Sequence, residues 1–285
     1  MSILAVSLVQ AQTTQLIVNP HFTDSSKWTL WKNDWEDTEP TFASWYCTMQ
    51  NSYIEMYVYD EVNWDYGDAG ASQGRREHGS GSYYNSPLVA EPEIANDLAD
   101  GKLIGYITMR HYYTPIKRGG FSDPRRGWTA CSGMFFMVFV DVYVYDKRDG
   151  QYKWMNYDDP NRWGEWNFVV LEMSNRWAYD WGAFHQVDGN DFRYNFMAQG
   201  TTHDSDWHYI KAGWIFSNPN TWETFGVDFG KMWREWAQTM NDNYYMDKQP
   251  YYVVKGKIRA VALSLECYLA EWKGAIDQAY LYLNT

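Results

Sequence analysis

The stretch "GMFFMVFVDVYVYD", residues 133–146, limits what this chain can fold into more than any other, because its even positions through Val144 are uniformly apolar while its odd positions turn aromatic and acidic toward the end. The even positions Met134, Phe136, Val138, Val140, Val142 and Val144 are all apolar, while the odd ones end in Asp141, Tyr143 and Tyr145. A period of two belongs to an extended strand, and a uniformly apolar set on one side places that side in a core. Such a strand must pair with others.

The same sorting gives the same result elsewhere. "SYIEMYVYD" (52–60) splits into Ile54, Met56 and Val58 against Tyr53, Glu55, Tyr57 and Tyr59. "KLIGYITMRHYY" (102–113) sets Leu103, Ile107 and Met109 against Tyr106, Thr108, Arg110 and Tyr112. "RAVALSLECYL" (259–269) sets Val261, Leu263 and Leu265 against Ser264, Glu266 and Tyr268, and "AIDQAYLYL" (275–283) sets Ala279, Leu281 and Leu283 against Gln278, Tyr280 and Tyr282. Further strand-like runs lie at 166–173, 207–216 and 222–229, bounded by Gly, Pro, Asn or Asp. Helical spacing is confined to "GKMWREWAQTM" at 230–240 and, more weakly, 89–100. The expected fold is all-β, an antiparallel β-sandwich or jelly roll with one or two short helices. Residues 63–87 and 174–206 read as long decorating loops, ordered by their Trp and Tyr content.

No repeat of fixed period and no low-complexity linker divides the chain, so 15–285 reads as a single domain. Residues 1–14, "MSILAVSLVQAQTT", form an apolar tail or signal remnant. The tail is too short to span a bilayer and lacks a basic n-region, yet "VQA" resembles a secretory cleavage site. That reading places the protein outside the cell or at its surface; the alternative is an N-terminal strand. No other segment suits a transmembrane helix.

A formal charge of −12 argues against nucleic acid as a partner, since clustered cations are needed to displace phosphate counterions. Cys47, Cys131 and Cys267 are far apart with no CxxC spacing, which indicates neither a zinc knuckle nor a dense disulfide framework. One bridge with one free thiol is compatible with the count. Seventeen Trp and 24 Tyr exceed what core filling demands, and the excess needs a use.

A sheet face that lays aromatic rings beside carboxylates, amides and a guanidinium has what a sugar needs: rings stack on C–H patches and polar groups bond hydroxyls. On this reading Tyr57, Tyr59, Arg110, Tyr112, Tyr143 and Tyr145 stack and orient a polysaccharide, Asp141 and Glu266 accept hydroxyl hydrogen bonds, and Trp177 and Trp181 add loop contacts. The plainer use of the same tyrosines is cross-strand pairing. An alternative function is glycoside hydrolysis, which needs two carboxyls ~5–9.5 Å apart, with Glu55, Asp141 and Glu266 as candidates if their strands are neighbours. No G-x-S-x-G, H-E-x-x-H or phosphate-binding loop is present. A third reading is a filament or surface-layer subunit, with "ILAVSLV" (3–9) adding a strand to a neighbour. Asp204, Asp206 and His208 of "THDSDWH" are a minor metal candidate, with a solvated turn as the default.

The two ends carry a family resemblance. "NPHFTDSSKWTLW" (19–31) resembles the "NPGFE…W" opening of jelly-roll carbohydrate-binding modules with the galactose-binding-like fold. "WETFGVDFGKMW" (222–233) resembles that family's penultimate strand, and the segment ending "AIDQAYLYL" its closing pair. The resemblance implies glycan binding and a structural calcium tying the first loop to the last strand, here through Asp24 and Asp277, although Thr23 stands where the family has Glu.

Overall fold

A computed structural model of the chain describes residues 13–34, 44–59, 67–74, 88–95, 105–118, 131–155, 166–180, 183–198, 208–211, 220–248, 250–268 and 270–284. Between residues 166 and 211 the description is of backbone and register. The apolar segment 3–9, Trp181, and Asp204 and Asp206 lie outside the described residues.

Two antiparallel sheets stack into a sandwich. The first runs β13 (Glu223–Asp228), β7 (Gly105–Arg118), β15 (Ala270–Asn284), β4 (Ile54–Tyr59), β3 (Ser44–Met49), with β1 (Thr13–Gln15) beside the end of β15. The second runs β12 (His208–Lys211), β11 (Ala183–Ala198), β10 (Trp166–Asp180), β8 (Cys131–Asp146), β14 (Tyr251–Tyr268), β5 (Gly67–Gly74), β2 (Thr29–Asp34). Short β6 (Glu93–Ala95) lies along β14 and β9 (Gln151–Met155) along β8. The chain passes repeatedly from one sheet to the other, as in a jelly roll.

The alternation read from sequence is realised. Met134, Phe136, Val138, Val140, Val142 and Val144 are at most 2% exposed and face Ile54, Met56, Val58, Ile276, Leu281 and Leu283 of the other sheet in one core. The ends also meet: Thr13, Thr14 and Gln15 pair with Asn284, Leu283 and Tyr282, and the Ala279 amide donates to the Pro20 carbonyl. Trp28 is buried beside Phe22, with its indole N–H donating to the Asn19 carbonyl, so the opening stretch is packing.

Helix α1 (Phe229–Tyr245) is longer than the spacing of 230–240 indicates. Its buried stripe of Phe229, Trp233, Trp236, Ala237 and Met240 recurs every three to four residues and fills one end of the core. Asn241 accepts from the Val253 amide and donates to the Val253 carbonyl, satisfying both backbone groups at a bulge in β14. The weaker helix expected at 89–100 is instead partly strand, since Lys255, Gly256 and Lys257 draw residues 93–95 onto the edge of β14.

Two expected loops contain strands. β11 lies in the 174–206 segment, and β5, "GDAGASQG", in the 63–87 segment. β5 has a turn-like composition for a packing reason: a Cβ on Gly70 would stand 2.4 Å from Trp31 Cζ2 and 2.4 Å from the Leu263 carbonyl oxygen. The indole of Trp31 lies where a side chain on Gly70 would project, so glycine is required at that position of a strand flanked by β14 and β2.

Candidate functional site

The outer face of the six-stranded sheet carries an aromatic and polar strip across its strands. At one end Tyr46 and Tyr57, cross-strand partners, stack at 5.3 Å and 15°. The Tyr46 hydroxyl donates to Glu55 Oε1 at 2.8 Å, Lys273 Nζ lies 2.8 Å from Glu55 Oε2, and the Tyr57 hydroxyl donates to Glu271 at 2.8 Å. Burial first, then the carboxylate partners, raise both phenols above their ordinary value. Toward β7 the strip continues through Tyr53 to Trp222, whose ring also meets Tyr112 at 5.6 Å and lies under the Arg110 guanidinium at 5.2 Å. Arg110 Nη1 donates to Asp277 at 2.6 Å, and the Tyr112 hydroxyl to Asn220 at 3.3 Å. Beyond these, Tyr280 stacks on Tyr282 and bonds His21.

The register explains the gathering. Lys273 opposes Tyr57, Ala275 opposes Glu55 and Tyr112, and Gln278 and Thr224 flank Arg110, so alternate residues of five strands share one face. Trp222, just before β13, is the residue that strand-by-strand reading did not assign. Its place depends on the pairing of β13 with β7, which no local pattern announces.

The outer face of the larger sheet is different. Asp141 pairs with Arg259 at 2.6 Å, and Arg259 with Glu91 at 2.7 Å. Further along, Tyr143 opposes Trp154 and Lys255, while Tyr145 opposes Tyr152 and Tyr252. Toward the middle this face becomes apolar, with Phe139, Ala260 and Ala262 packed beside Trp31 and Met137.

The residues named from sequence therefore divide. Tyr57, Tyr59, Arg110 and Tyr112, with Glu55, lie on the smaller sheet; Asp141, Tyr143, Tyr145 and Glu266 belong to strands of the larger one. Trp177 is in strand β10 rather than a loop. The three candidate carboxylates do not converge. Asp141 is opposite Lys257, and Glu266 is nine residues further along β14, about 30 Å away at ~3.3 Å per residue. Glu55 is on the far side of a core about 10 Å thick.

Asp24 and Asp277 have other partners. Asp24 is exposed and caps the turn at 25–27, accepting from Ser26 N at 3.0 Å and Ser26 Oγ at 2.7 Å, bonds that hold its carboxyl below the ordinary value. Burial raises the carboxyl of Asp277, against the pull of Arg110. A calcium cage needs six to eight convergent oxygens, and a guanidinium beside one of two donors does not fit that requirement. Among the described residues no group of three or more His, Cys, Asp or Glu side chains converges as a metal site.

No family model matches the chain, and no curated protein does. Among solved structures, a loop-swap mutant of Necallimastix patriciarum Xyn11A aligns over 98% of both chains at 10% identity, with a TM-score of 0.36. Neither activity nor substrate follows from similarity at that level.

Proposed function

We propose that this protein binds a polysaccharide on the outer face of its six-stranded sheet, outside the cell, without cleaving it. The observation that carries this reading is Trp222, half-buried and held between Arg110, Tyr112 and Tyr53 at one end of the aromatic strip. A ring fixed in this way offers a stacking platform that loses little freedom on binding, and the Arg110–Asp277 and Lys273–Glu55 pairs beside it present donors and acceptors to hydroxyls. The resemblance of both chain ends to galactose-binding-like carbohydrate-binding modules supports the same class of ligand. The reading stops at binding because the three carboxylates singled out in the sequence, Glu55, Asp141 and Glu266, lie on two sheets and cannot flank one bond as acid and nucleophile.

Affinity electrophoresis on soluble β-glucans, xylan and mannans tests the proposal. At least one polysaccharide should retard the wild type, and Trp222→Ala should weaken retardation up to about tenfold, as loss of one stacking contact predicts. Unretarded migration of the wild type across the panel rejects the reading.

A further inference from the structure

The end of the larger sheet carries a second aromatic surface that the glycan strip does not use. Trp154 and Tyr152 of β9, Tyr143 and Tyr145 of β8, and Tyr252 of β14 occupy adjoining register positions on one face. Tyr152 contacts both Tyr143, stacked at 6.1 Å, and Tyr145 at 5.1 Å, while Tyr252 contacts Tyr244 and Tyr245 at the end of α1. Tyr152 is 61% exposed, Tyr245 70% and Met246 56%, so three of the most exposed large apolar side chains among the described residues cluster here.

Charge around this surface is balanced. Lys147 pairs with Asp247, Arg148 with Asp146, Lys153 with Asp146 and Asp149, and Lys255 with Glu93, which matches four cations to four carboxylates. The whole chain has 36 carboxylates to 24 cations. Two copies of so acidic a chain repel over most of their surfaces and approach at least cost where charge cancels locally. Tyr, Trp and Met with few free charges is also the composition of protein interface cores, whereas a thioether offers a sugar hydroxyl only a weak acceptor.

We propose that this surface, centred on Tyr152, Tyr245 and Met246, is the contact through which two copies of the chain form a symmetric dimer. An isologous contact sets each copy's patch against its twin and leaves the outer face of each six-stranded sheet, on the other side of its sandwich, directed away. A dimer of this kind presents two copies of the Trp222 strip.

Sedimentation velocity over a wide concentration range tests the contact without any glycan. The wild type should show a concentration-dependent monomer–dimer equilibrium. Tyr152→Asp combined with Tyr245→Asp should weaken dimerisation by about 30-fold or more, as loss of central aromatic anchors predicts, with little change in the melting temperature measured at dilutions where the wild type is monomeric, because both side chains are exposed in the monomer. Met246→Lys serves as an independent variant and should act in the same direction. A wild type that stays monomeric at high concentration overturns the proposal, as does a double variant that dimerises like wild type. A monomeric wild type whose retardation on polysaccharide depends on Tyr152 overturns it in favour of a second glycan surface. Loss of all glycan retardation with dimerisation intact rejects only the binding function.

Discussion

Glu55 and Asp141 stand on opposite outer faces of the sandwich, each already paired: Glu55 with Lys273 at 2.8 Å, Asp141 with Arg259 at 2.6 Å. Two carboxyls so placed cannot flank one glycosidic bond. On the binding proposal, reducing-sugar assays on the polysaccharides used for binding should register no release by the wild type. If release occurs, Glu55→Gln and Asp141→Asn should not both abolish it, because the two cannot act as one acid–nucleophile pair. Glu55→Gln should change stability by no more than about 1 kcal/mol, since Lys273 is partly exposed and surface pairs contribute little.

Asp146 is 1% exposed at the tight β8–β9 turn, where it accepts from the Arg148 guanidinium and backbone amide and from Lys153. Burial alone raises a carboxyl, but these bonds outweigh it and hold Asp146 well below its ordinary 3.8. A depressed folded-state value means that the stabilisation is complete above about pH 4 and is lost as pH falls further. Asp146→Ala should cost about 3 kcal/mol at pH 7, the low end for a broken buried pair, because Arg148 is half exposed. The difference from wild type should shrink in thermal melts run at progressively lower pH.

Much of this fold is legible before any coordinates, and the limits have physical causes. The even positions of β8 and the apolar positions of β4 and β15 declare their core face because alternation is local. The chain ends announce each other through "NPHFTDSSKWTLW" and "AIDQAYLYL", which do lie together. β5 is illegible because its central Gly70 answers to Trp31, some forty positions earlier, rather than to strand propensity. The candidate site split for a similar reason: Tyr57 in "EMYVYD" and Tyr143 in "DVYVYD" have nearly the same local surroundings, and only strand order assigns them to different sheets. Trp222 depends on the same long-range pairing.

Several tyrosines are held as neutral phenols. Burial is the largest cause of the raised values at Tyr46, Tyr57, Tyr252 and Tyr280, with carboxylate or phenol neighbours adding to it. A value raised on folding contributes stability that is complete below the unfolded-state value, about 10, and is lost as pH climbs beyond it. Melting temperature should be flat up to about pH 9.5 and fall above pH 10. Phenolate absorbance should reveal a late-titrating class of tyrosines that ionises in step with loss of near-ultraviolet circular dichroism. Titration of every tyrosine near pH 10 with the fold intact would refute this.

Cys47 packs against the core, and burial pushes its thiol up to about 12. The thiolate is the reactive species, so native protein should react with a disulfide reagent at Cys47 far more slowly than a free thiol at pH 8, and at the ordinary rate once denaturant unfolds it. Rapid modification of Cys47 in the native state, located by peptide mass, would contradict this burial.

Gly256 marks the point where α1 is set against the larger sheet. A Cβ there would lie 2.6 Å from Trp233 Cη2 and 2.6 Å from Val140 Cγ1. Both neighbours are fully buried, so neither can swing into solvent. Gly256→Ala should cost about 1–3 kcal/mol, the usual penalty for overpacking, and lower the melting temperature by several degrees. Loss of stability alone does not separate a clash from a backbone effect. Trp233→Phe, which removes the atoms nearest the new methyl, should cost less in the Gly256→Ala background than in wild type. A coupling of about 0.5 kcal/mol or more in that double-mutant cycle identifies contact between these two residues, whereas strict additivity would mean that the helix does not rest on Gly256.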